Sequence, residues 1–228
     1  MTNYSPVTHV IFDMDGLLLD SESIYFTSVT EVLNNYGKIY TDELHLKVMG
    51  TIPLKTASII TKELKMDITP AHLMAELNRK KLINLDNLPL MPGAVRLVNH
   101  LYENNIPIAV ATSSGKETFK VKIANYQEFF SKFHHIVLGS VDPEVKEGKP
   151  APDIFLVCAS RFDDNPKPEK CLVFEDAPNG VTAARAAGMQ TVMVPDKVIP
   201  IEKTSHATQV ITSLEQFKPE EFGLPPFK

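Results

Sequence analysis

The sequence predicts an α/β fold, a doubly wound parallel sheet into which an all-helical segment is inserted. Short apolar runs suited to buried strands alternate with helical patterns over residues 89–228, and another such run, residues 10–12, lies near the N-terminus. Residues 21–88 show helical periodicity without strand-like runs. We therefore expect residues 1–20 and 89–228 to form a Rossmann-like α/β core, and residues 21–88 to form a separate helical domain.

Four helices are predicted between residues 21 and 88. Thr41 and Thr69 are plausible N-caps, and the second of them precedes Pro70 at a first helical position. Gly37 and the segment 50–53 are stop signals. The predicted helices span about residues 24–36, 41–49, 53–64 and 70–82.

From residue 89 onward, strands and helices alternate. The predicted strands are residues 106–111, 136–138, 171–174, 191–194 and 210–211. The predicted helices begin near residues 93, 116, 153 and 178. Such alternation implies parallel strands joined by right-handed crossovers, with helices on both faces of the sheet.

The composition is that of a globular protein and argues against nucleic-acid and membrane partners. Hydrophobic residues make up 43% of the 228 residues and charged residues 22%, which is too apolar for a disordered chain. The net charge is -5 and no basic stripe is present, whereas nucleic-acid binding usually needs one. No apolar run approaches the roughly 18 residues of a membrane span, and the N-terminus has no apolar signal core. We therefore expect a cytoplasmic protein and, by default, a monomer.

Neither the cysteines nor the histidines indicate a disulfide or a zinc site. Cys158 and Cys171 both adjoin apolar residues, which is typical of buried thiols in a reducing compartment. The seven histidines are scattered, and the adjacent pair His134 and His135 lacks zinc-site spacing. We interpret all of the histidines as structural or surface residues.

Three of the predicted strands end in residues that can bind a ligand. Asp13 and Asp15 follow the first strand, Thr112 follows the second, and Glu175 and Asp176 follow the fourth. In open parallel sheets, ligands bind beyond the carboxyl ends of the strands. We therefore expect these side chains to converge at one edge of the sheet.

The acidic pair Asp13 and Asp15 has two interpretations when it is taken alone. Gly16 lets the chain turn tightly after the pair, and two carboxylates on one small site repel each other unless a cation or a shared proton is present. A solvated acidic turn at the end of a strand is equally compatible with these residues. The decision therefore depends on the rest of the chain.

The converged residues predict a magnesium and phosphate site. Four carboxylates at one edge require a divalent cation, and their hard oxygen ligands suit Mg²⁺. Thr112 and Ser113 supply hydroxyl and N–H groups for phosphate oxygens, and Lys149 supplies a compact cation. We therefore expect a small phosphorylated metabolite as the binding partner.

A carboxylate inside a phosphate site can act as a nucleophile. We assign Asp13, at the end of the strand, to in-line attack on phosphorus, which gives an aspartyl-phosphate intermediate. Asp15, further into the loop, then acts as general acid toward the leaving alkoxide and afterwards as general base toward water. Mg²⁺ and Lys149 would offset the repulsion between the Asp13 carboxylate and the phosphate dianion.

Four motifs in the expected order resemble those of haloacid dehalogenase superfamily phosphatases. They are DMDG at residues 13–16, Thr112 within VATS at 110–113, Lys149 before PAPD at 150–153, and FEDAPNG at 174–180. A lone DxDG is a weak signal, but four motifs at this spacing are a strong one. The resemblance implies an aspartate-nucleophile phosphatase.

The same resemblance implies a ligand set and a role for the helical domain. Mg²⁺ would be bound by the Asp13 side chain, the Asp15 main-chain carbonyl and Asp176, with Glu175 beside it. An acidic residue two positions after the nucleophile is similar to the phosphotransfer branch of the superfamily and unlike the dehalogenases. The helical insert resembles a mobile cap that closes over the substrate and excludes water.

A closer resemblance within the superfamily implies the substrate. Several segments resemble the branch that dephosphorylates pseudouridine 5'-phosphate: residues 90–94, 135–139, 169–180, 187–190 and 222–225. This resemblance is weakest in the cap, around residues 51–55. The cap selects the substrate in this superfamily, so the chemistry is more strongly implied than the substrate.

Structural interpretations of single residues stay open beside the functional ones. Thr112 could simply terminate a strand, and Lys149 could be a solvated loop lysine. Glu175 could bind metal directly, bind it through water, or hold a neighbouring loop. Tyr25 and Phe26 could stack on a base, although apolar positions of this kind are more often core.

Three functions remain to be weighed. The first is a Mg²⁺-dependent phosphomonoesterase acting on a sugar, polyol or nucleoside monophosphate. The second is a catalytically inactive relative that binds phosphorylated ligands, against which the intact set Asp13, Asp15, Lys149 and Asp176 argues. The third is a phosphoglucomutase-like phosphotransferase, which is disfavoured because residues 51–53 offer no basic side chain for a second phosphate.

Overall fold

The computed structural model describes residues 4–48 and 53–228 and divides the chain into two compact units. The α/β unit consists of the chain up to Asp20 and from Pro89 onward, and the helical unit is Ser21–Leu88. Each unit buries its own cluster of apolar side chains.

A parallel sheet forms the centre of the α/β unit. Its strands, in chain order, are β1 (His9–Phe12), β2 (Ile108–Thr112), β3 (His135–Leu138), β4 (Cys171–Glu175), β5 (Gln190–Met193) and β6 (Gln209–Val210). Within the described residues the strand order is β3-β2-β1-β4-β5-β6, and all neighbouring pairs run parallel. The chain extends the sheet first to one side of β1 and then to the other, so the sheet is doubly wound. The predicted fold class is confirmed.

The helices follow the predicted order in both units. The helical unit contains α1 (Ser21–Asn34), α2 (Asp42–Val48), α3 (Pro53–Glu63) and α4 (Pro70–Asn84). The α/β unit contains α5 (Ala94–Glu103), α6 (Lys116–Ile123), α7 (Gln127–Phe130), α8 (Asp153–Ser160) and α9 (Pro178–Ala186). The single turn α7 was not predicted, because its 4 residues are too few to show a helical period. None of the described helices combines the length and apolar character that crossing a membrane requires.

Both predicted threonine caps are confirmed. The hydroxyl of Thr41 accepts a hydrogen bond of 3.2 Å from the backbone N–H three residues later, and Thr69 does the same at 3.2 Å. Gly37, predicted to end the first helix, has a φ of 64°, a conformation that glycine adopts without a steric penalty. Residues 50–52, where a break was predicted, lie outside the described residues, as does part of the 51–55 segment.

The helical unit has a core of its own. Its buried apolar side chains are Val29, Val32, Leu33, Tyr40, Leu44, Val48, Ala57, Ile60, Leu73 and Leu77. Tyr25 and Phe26 pack against this cluster, and the ring of Phe26 lies 5.0 Å from that of Tyr40. These contacts favour the interpretation of both aromatic residues as parts of the core.

The register of the sheet brings the ends of the central strands level. Phe12 on β1 pairs with Phe174 on β4, and their rings stack with centroids 5.0 Å apart. The residues that follow this pair, Asp13 and Glu175, therefore lie side by side at the carboxyl edge of the sheet. Thr112 and Glu175, expected just beyond their strands, are instead the last residues of β2 and β4, because the strand pairing continues through them.

Both cysteines are buried free thiols, as predicted. Burial raises the pKa of Cys171 to about 12, and burial also raises the pKa of Cys158. A thiol in this state is a poor nucleophile at neutral pH. The two side chains therefore act as core residues.

Two histidines lie at the amino ends of strands, since His9 is the first residue of β1 and His135 is the first residue of β3. His9 is 2% exposed, with Nδ1 2.8 Å from the Thr8 hydroxyl and Nε2 3.0 Å from a carboxylate oxygen of Asp164. His135 donates from Nε2 to the main-chain oxygen of Cys158 at 2.9 Å. Burial lowers the pKa of both imidazoles, and for His9 it outweighs the opposing charge of Asp164.

The lowered pKa values of His9 and His135 predict that these two groups reduce stability on acidification. The unfolded chain takes up their protons below about pH 6.5, whereas the folded chain resists them, so their contribution to the free energy of unfolding should decrease as the pH falls from 6.5. The raised pKa of Asp13 acts in the opposite direction, so the contribution of His9 is measured as the difference between His9→Asn and wild type in urea denaturation at pH 8, 6.5 and 5.5. Relative to wild type, His9→Asn should become more stable as the pH falls, while the exposed control His72→Gln should follow wild type; an unchanged difference across the three pH values contradicts the assignment.

Candidate active site

Asp13 is held firmly at the carboxyl end of β1. Its backbone N–H donates to the main-chain oxygen of Phe174 at 3.0 Å, which extends the pairing of β1 with β4 by one residue. Its side chain is only 9% exposed. The chain then turns at Gly16, which has a φ of 79° and donates to the main-chain oxygen of Leu19 at 2.9 Å.

Lys149 joins the ends of three central strands. From the loop between β3 and α8, its ammonium donates to Asp13 Oδ1 at 2.5 Å, to Glu175 Oε1 at 2.6 Å and to the main-chain oxygen of Ala111 at 3.1 Å. The Lys149 side chain is 10% exposed. All three protons of the ammonium therefore have acceptors, and the lysine is not a solvated loop residue.

The carboxyl groups of Asp13 and Glu175 share a single ammonium group, that of Lys149. Burial raises the pKa of Asp13 to about 7; the Lys149 ammonium opposes the shift, whereas the carboxylates of Glu175 and Asp15 add to it. Burial alone would lower the pKa of Lys149, but the charges of Asp13 and Glu175 outweigh it and the pKa is raised. The lysine therefore stays protonated, and full ionisation of Asp13 calls for further positive charge.

Three carboxylates form a cluster suited to a divalent cation. Oxygen atoms of Asp13, Glu175 and Asp176 all lie within 4.8 Å of one another. The donors are carboxylate oxygens, the ligand type that Mg²⁺ and Ca²⁺ prefer. The cluster could therefore hold a divalent cation, and such an ion would supply the positive charge that Asp13 lacks.

Glu175 fits into space that a glycine leaves open. Its side chain is 1% exposed, and besides Lys149 it accepts a hydrogen bond from the N–H of Ala177 at 3.4 Å. A Cβ added at Gly180 on α9 would lie 1.9 Å from the Glu175 carboxyl carbon. The Glu175 side chain can therefore occupy this position only because residue 180 is a glycine.

The loop that carries Lys149 is fixed on both sides. Asp153, at the start of α8, accepts hydrogen bonds from the backbone N–H groups of residues 146 and 147 at 2.9 and 3.0 Å. Arg161 donates to Asp142 at 2.6 Å near the start of the loop. These contacts hold the loop in place while the lysine side chain reaches the ends of the strands.

Asp15 has different partners from Asp13. Its carboxylate accepts hydrogen bonds from the Ser114 hydroxyl at 2.8 Å and from the Thr112 hydroxyl at 3.4 Å. Its other oxygen is bonded to the ammonium of Lys122. Thr112 is thus part of the site and does more than end a strand, whereas the side chain of Ser113 is exposed.

The residues expected at the site therefore fall into two networks. Asp13, Lys149, Glu175 and Asp176 lie together around the Lys149 ammonium and the carboxylate cluster. Asp15 and Thr112 lie in the second network.

Sequence reasoning missed Ser114 and Lys122, which contact Asp15 in that second network. Ser114 belongs to the same polar run as Thr112 and was within reach of the prediction. Lys122 gave no signal, because a lysine in the last turn of a helix is normally exposed.

Comparison with known proteins gives consistent matches along nearly the whole chain. A family model described as haloacid dehalogenase-like hydrolase matches residues 10–194. A Drosophila melanogaster protein named "Probable pseudouridine-5'-phosphatase" is 53% identical, covering 97% of this chain and 96% of the relative. The Arabidopsis thaliana protein "(DL)-glycerol-3-phosphatase 2" is 48% identical, covering 97% of this chain and 93% of the relative.

The fold is also found in a solved structure. A crystal structure of a HAD family hydrolase from Deinococcus radiodurans R1, with bound phosphate and sodium, has a TM-score of 0.81 to this chain. The match covers 98% of this chain and 100% of that one at 22% identity, so it establishes likeness of fold.

The contact between Gly180 and Glu175 predicts that Gly180→Ala weakens cation binding. The new methyl group must displace the Glu175 carboxylate, and loss of a supporting contact of this kind typically costs about 10- to 100-fold in metal affinity. Titration calorimetry with Mg²⁺ measures the change. Gly148→Ala is the matched control, since nothing lies within 4 Å of a Cβ there; wild-type affinity in Gly180→Ala would contradict a contribution of Glu175 to holding a cation.

Proposed function

Because the chain belongs to the haloacid dehalogenase-like hydrolase family and is a phosphoric monoester hydrolase, we propose that it hydrolyses pseudouridine 5'-phosphate through a phosphorylated Asp13. The choice of substrate rests on the 53% identity to the Drosophila protein over 97% of the chain. The chemistry is supported by the placement of Asp13 against Lys149.

In the proposed first step, a carboxylate oxygen of Asp13 attacks phosphorus in line with the leaving oxygen. The bond between Asp13 and phosphorus forms as the ester P–O bond breaks, which leaves an aspartyl phosphate and the alcohol. The backbone hydrogen bond of Asp13 and its burial hold the nucleophile in one orientation. Lys149 keeps its positive charge beside the attacking group and the incoming phosphate.

Asp15 is the proposed general acid and base. It gives a proton to the leaving oxygen in the first step, and it takes a proton from water when water hydrolyses the aspartyl phosphate. The proton returns to Asp15 once per turnover. Its position two residues after the nucleophile, in the same turn, supports this role.

Asp13, Glu175 and Asp176 would hold Mg²⁺, together with the main-chain carbonyl of Asp15. When bound, the ion supplies positive charge that offsets the repulsion between the Asp13 carboxylate and the phosphate dianion. We assign Thr112, Ser113 and Lys149 to the phosphate oxygens, with hydroxyl, N–H and ammonium groups as donors.

A second substrate class has its own support. The Arabidopsis relative named as a glycerol-3-phosphatase is 48% identical over 97% of the chain, only slightly less than the Drosophila protein. Both substrates are alkyl monophosphates, and the same Asp13 and Asp15 chemistry serves either one. Glycerol 3-phosphate is therefore the alternative substrate.

The proposed nucleophile predicts the behaviour of Asp13→Asn. Turnover should fall by roughly 10⁴-fold or more, because an amide cannot form the phosphorylated intermediate. The melting temperature should be unchanged or raised, since one of several crowded carboxylates is removed. Phosphate release and thermal unfolding are measured beside Asp163→Asn, a control whose side chain is 95% exposed; turnover at the wild-type rate in Asp13→Asn excludes the mechanism.

The substrate is tested with a panel of monophosphates at equal concentration, with Mg²⁺ and after chelation. Pseudouridine, uridine, ribose, glycerol and hexose phosphates are compared by kcat/KM for phosphate release. We expect a large preference for pseudouridine 5'-phosphate and loss of activity on chelation. A preference for glycerol 3-phosphate supports the second substrate class, whereas interconversion of hexose phosphates without phosphate release indicates a mutase.

A further inference from the structure

A second buried lysine, Lys122, contacts the proposed acid and base. It lies in the last turn of α6, its side chain is 4% exposed, and its ammonium is bonded to Asp15 Oδ1. The same ammonium donates to the Ser114 hydroxyl at 2.9 Å, and Ser114 in turn donates to Asp15 Oδ2 at 2.8 Å. Both oxygens of the Asp15 carboxylate are therefore held, each by a different group.

The burial of Lys122 sets it apart from its neighbour on the same helix. Lys120 is 58% exposed and pairs with Glu117 at the surface at 3.2 Å. Taking an ammonium out of water is costly unless it is paired, and lysines are rarely buried without a partner. The carboxylate that pairs with Lys122 is that of Asp15.

We propose that Lys122 is a positioning residue that holds the carboxyl group of Asp15 in the orientation needed for proton transfer. This inference rests on the proposed role of Asp15 as general acid and base. Two contacts from α6 and the segment before it fix the plane of the carboxyl group, which stands on a loop. A general acid must lie within hydrogen-bond reach of the leaving oxygen, and a displacement of about 1 Å can cost about 100-fold in rate.

Lys122 takes no part in the proton balance of the reaction. In the first step the proton moves from Asp15 to the leaving oxygen as the ester bond breaks, and in the second it moves from water to Asp15. Lys122 keeps its three protons throughout. Loss of Lys122 should therefore slow the steps in which Asp15 moves a proton, and should leave the attack by Asp13 intact only where the leaving group needs no proton.

The nature of the leaving group separates a defect in proton transfer by Asp15 from a defect in the attack by Asp13. An alkoxide is a poor leaving group and needs a proton from Asp15, whereas p-nitrophenolate leaves readily without one. The ratio kcat/KM reports the steps up to departure of the leaving group. A defect in the position of Asp15 should therefore lower kcat/KM for an alkyl phosphate and spare an aryl phosphate.

The experiment compares wild type, Lys122→Met, Asp15→Asn and the surface control Lys120→Met on glycerol 3-phosphate and on p-nitrophenyl phosphate. In Lys122→Met we expect kcat/KM to fall about 100-fold or more for the alkyl substrate and by less than about 3-fold for the aryl one. Asp15→Asn should show the same selectivity, and Lys120→Met should match wild type on both. If Lys122→Met does not fold, Ser114→Ala, which removes one contact to Asp15 and leaves no buried charge unpaired, should show a smaller loss with the same selectivity.

The outcomes distinguish this inference from the proposed function. If Asp15→Asn loses activity selectively on the alkyl substrate while Lys122→Met and Ser114→Ala do not, the positioning role is overturned and the acid role of Asp15 stands. Equal losses on both substrates in Lys122→Met also overturn it, since they indicate a general structural defect. If Asp15→Asn itself shows no selectivity, the acid role is overturned and the inference falls with it.

Discussion

The ammonium of Lys149, buried between Asp13 and Glu175, is the interaction on which the site depends. It ties together residues from the ends of β1, β2 and β4, and it is the cation that keeps two nearly buried carboxylates side by side. Without it, the two carboxylates would face each other unpaired, which is among the costliest defects a buried site can have. The loop around Lys149 is fixed by Asp153 and Arg161, so several polar contacts serve to position one charged side chain.

The sheet provides the frame for this charge. Parallel pairing of β1 with β4 in one register sets Phe12 opposite Phe174, and Asp13 and Glu175 then emerge level with each other. A slip of one residue in this register would turn every side chain to the other face. The stacked rings of Phe12 and Phe174 oppose such a slip, so apolar packing within the sheet determines the polar geometry at its edge.

These strand ends explain why so much of the site could be predicted. The apolar runs marked where β1, β2 and β4 lie, and the rule for parallel sheets placed Asp13, Thr112 and Glu175 at one edge. The threonine caps were predictable because they depend on local chain geometry. Lys122 was not, because whether a lysine on α6 faces inward depends on how the whole helix is rotated against its neighbours. The space that Gly180 leaves for Glu175 was not evident either, although the FEDAPNG motif contains both residues, because it depends on the angle at which the chain turns from β4 into α9.

The separation of Asp13 and Asp15 into two networks gives two identical side chains different properties. The described contacts of Asp13 include an ammonium, a group that only donates, and this suits a carboxylate that must stay ionised to attack. Asp15 faces an ammonium and two hydroxyls, and a hydroxyl can donate to a carboxylate or accept from a protonated carboxyl. The hydroxyls beside Asp15 can therefore adapt to both of its protonation states, whereas the Lys149 ammonium favours the ionised form of Asp13 against the effect of burial. A difference of two positions in the sequence thus becomes a difference in chemical role, because one side chain meets Lys149 and the other meets Ser114, Thr112 and Lys122.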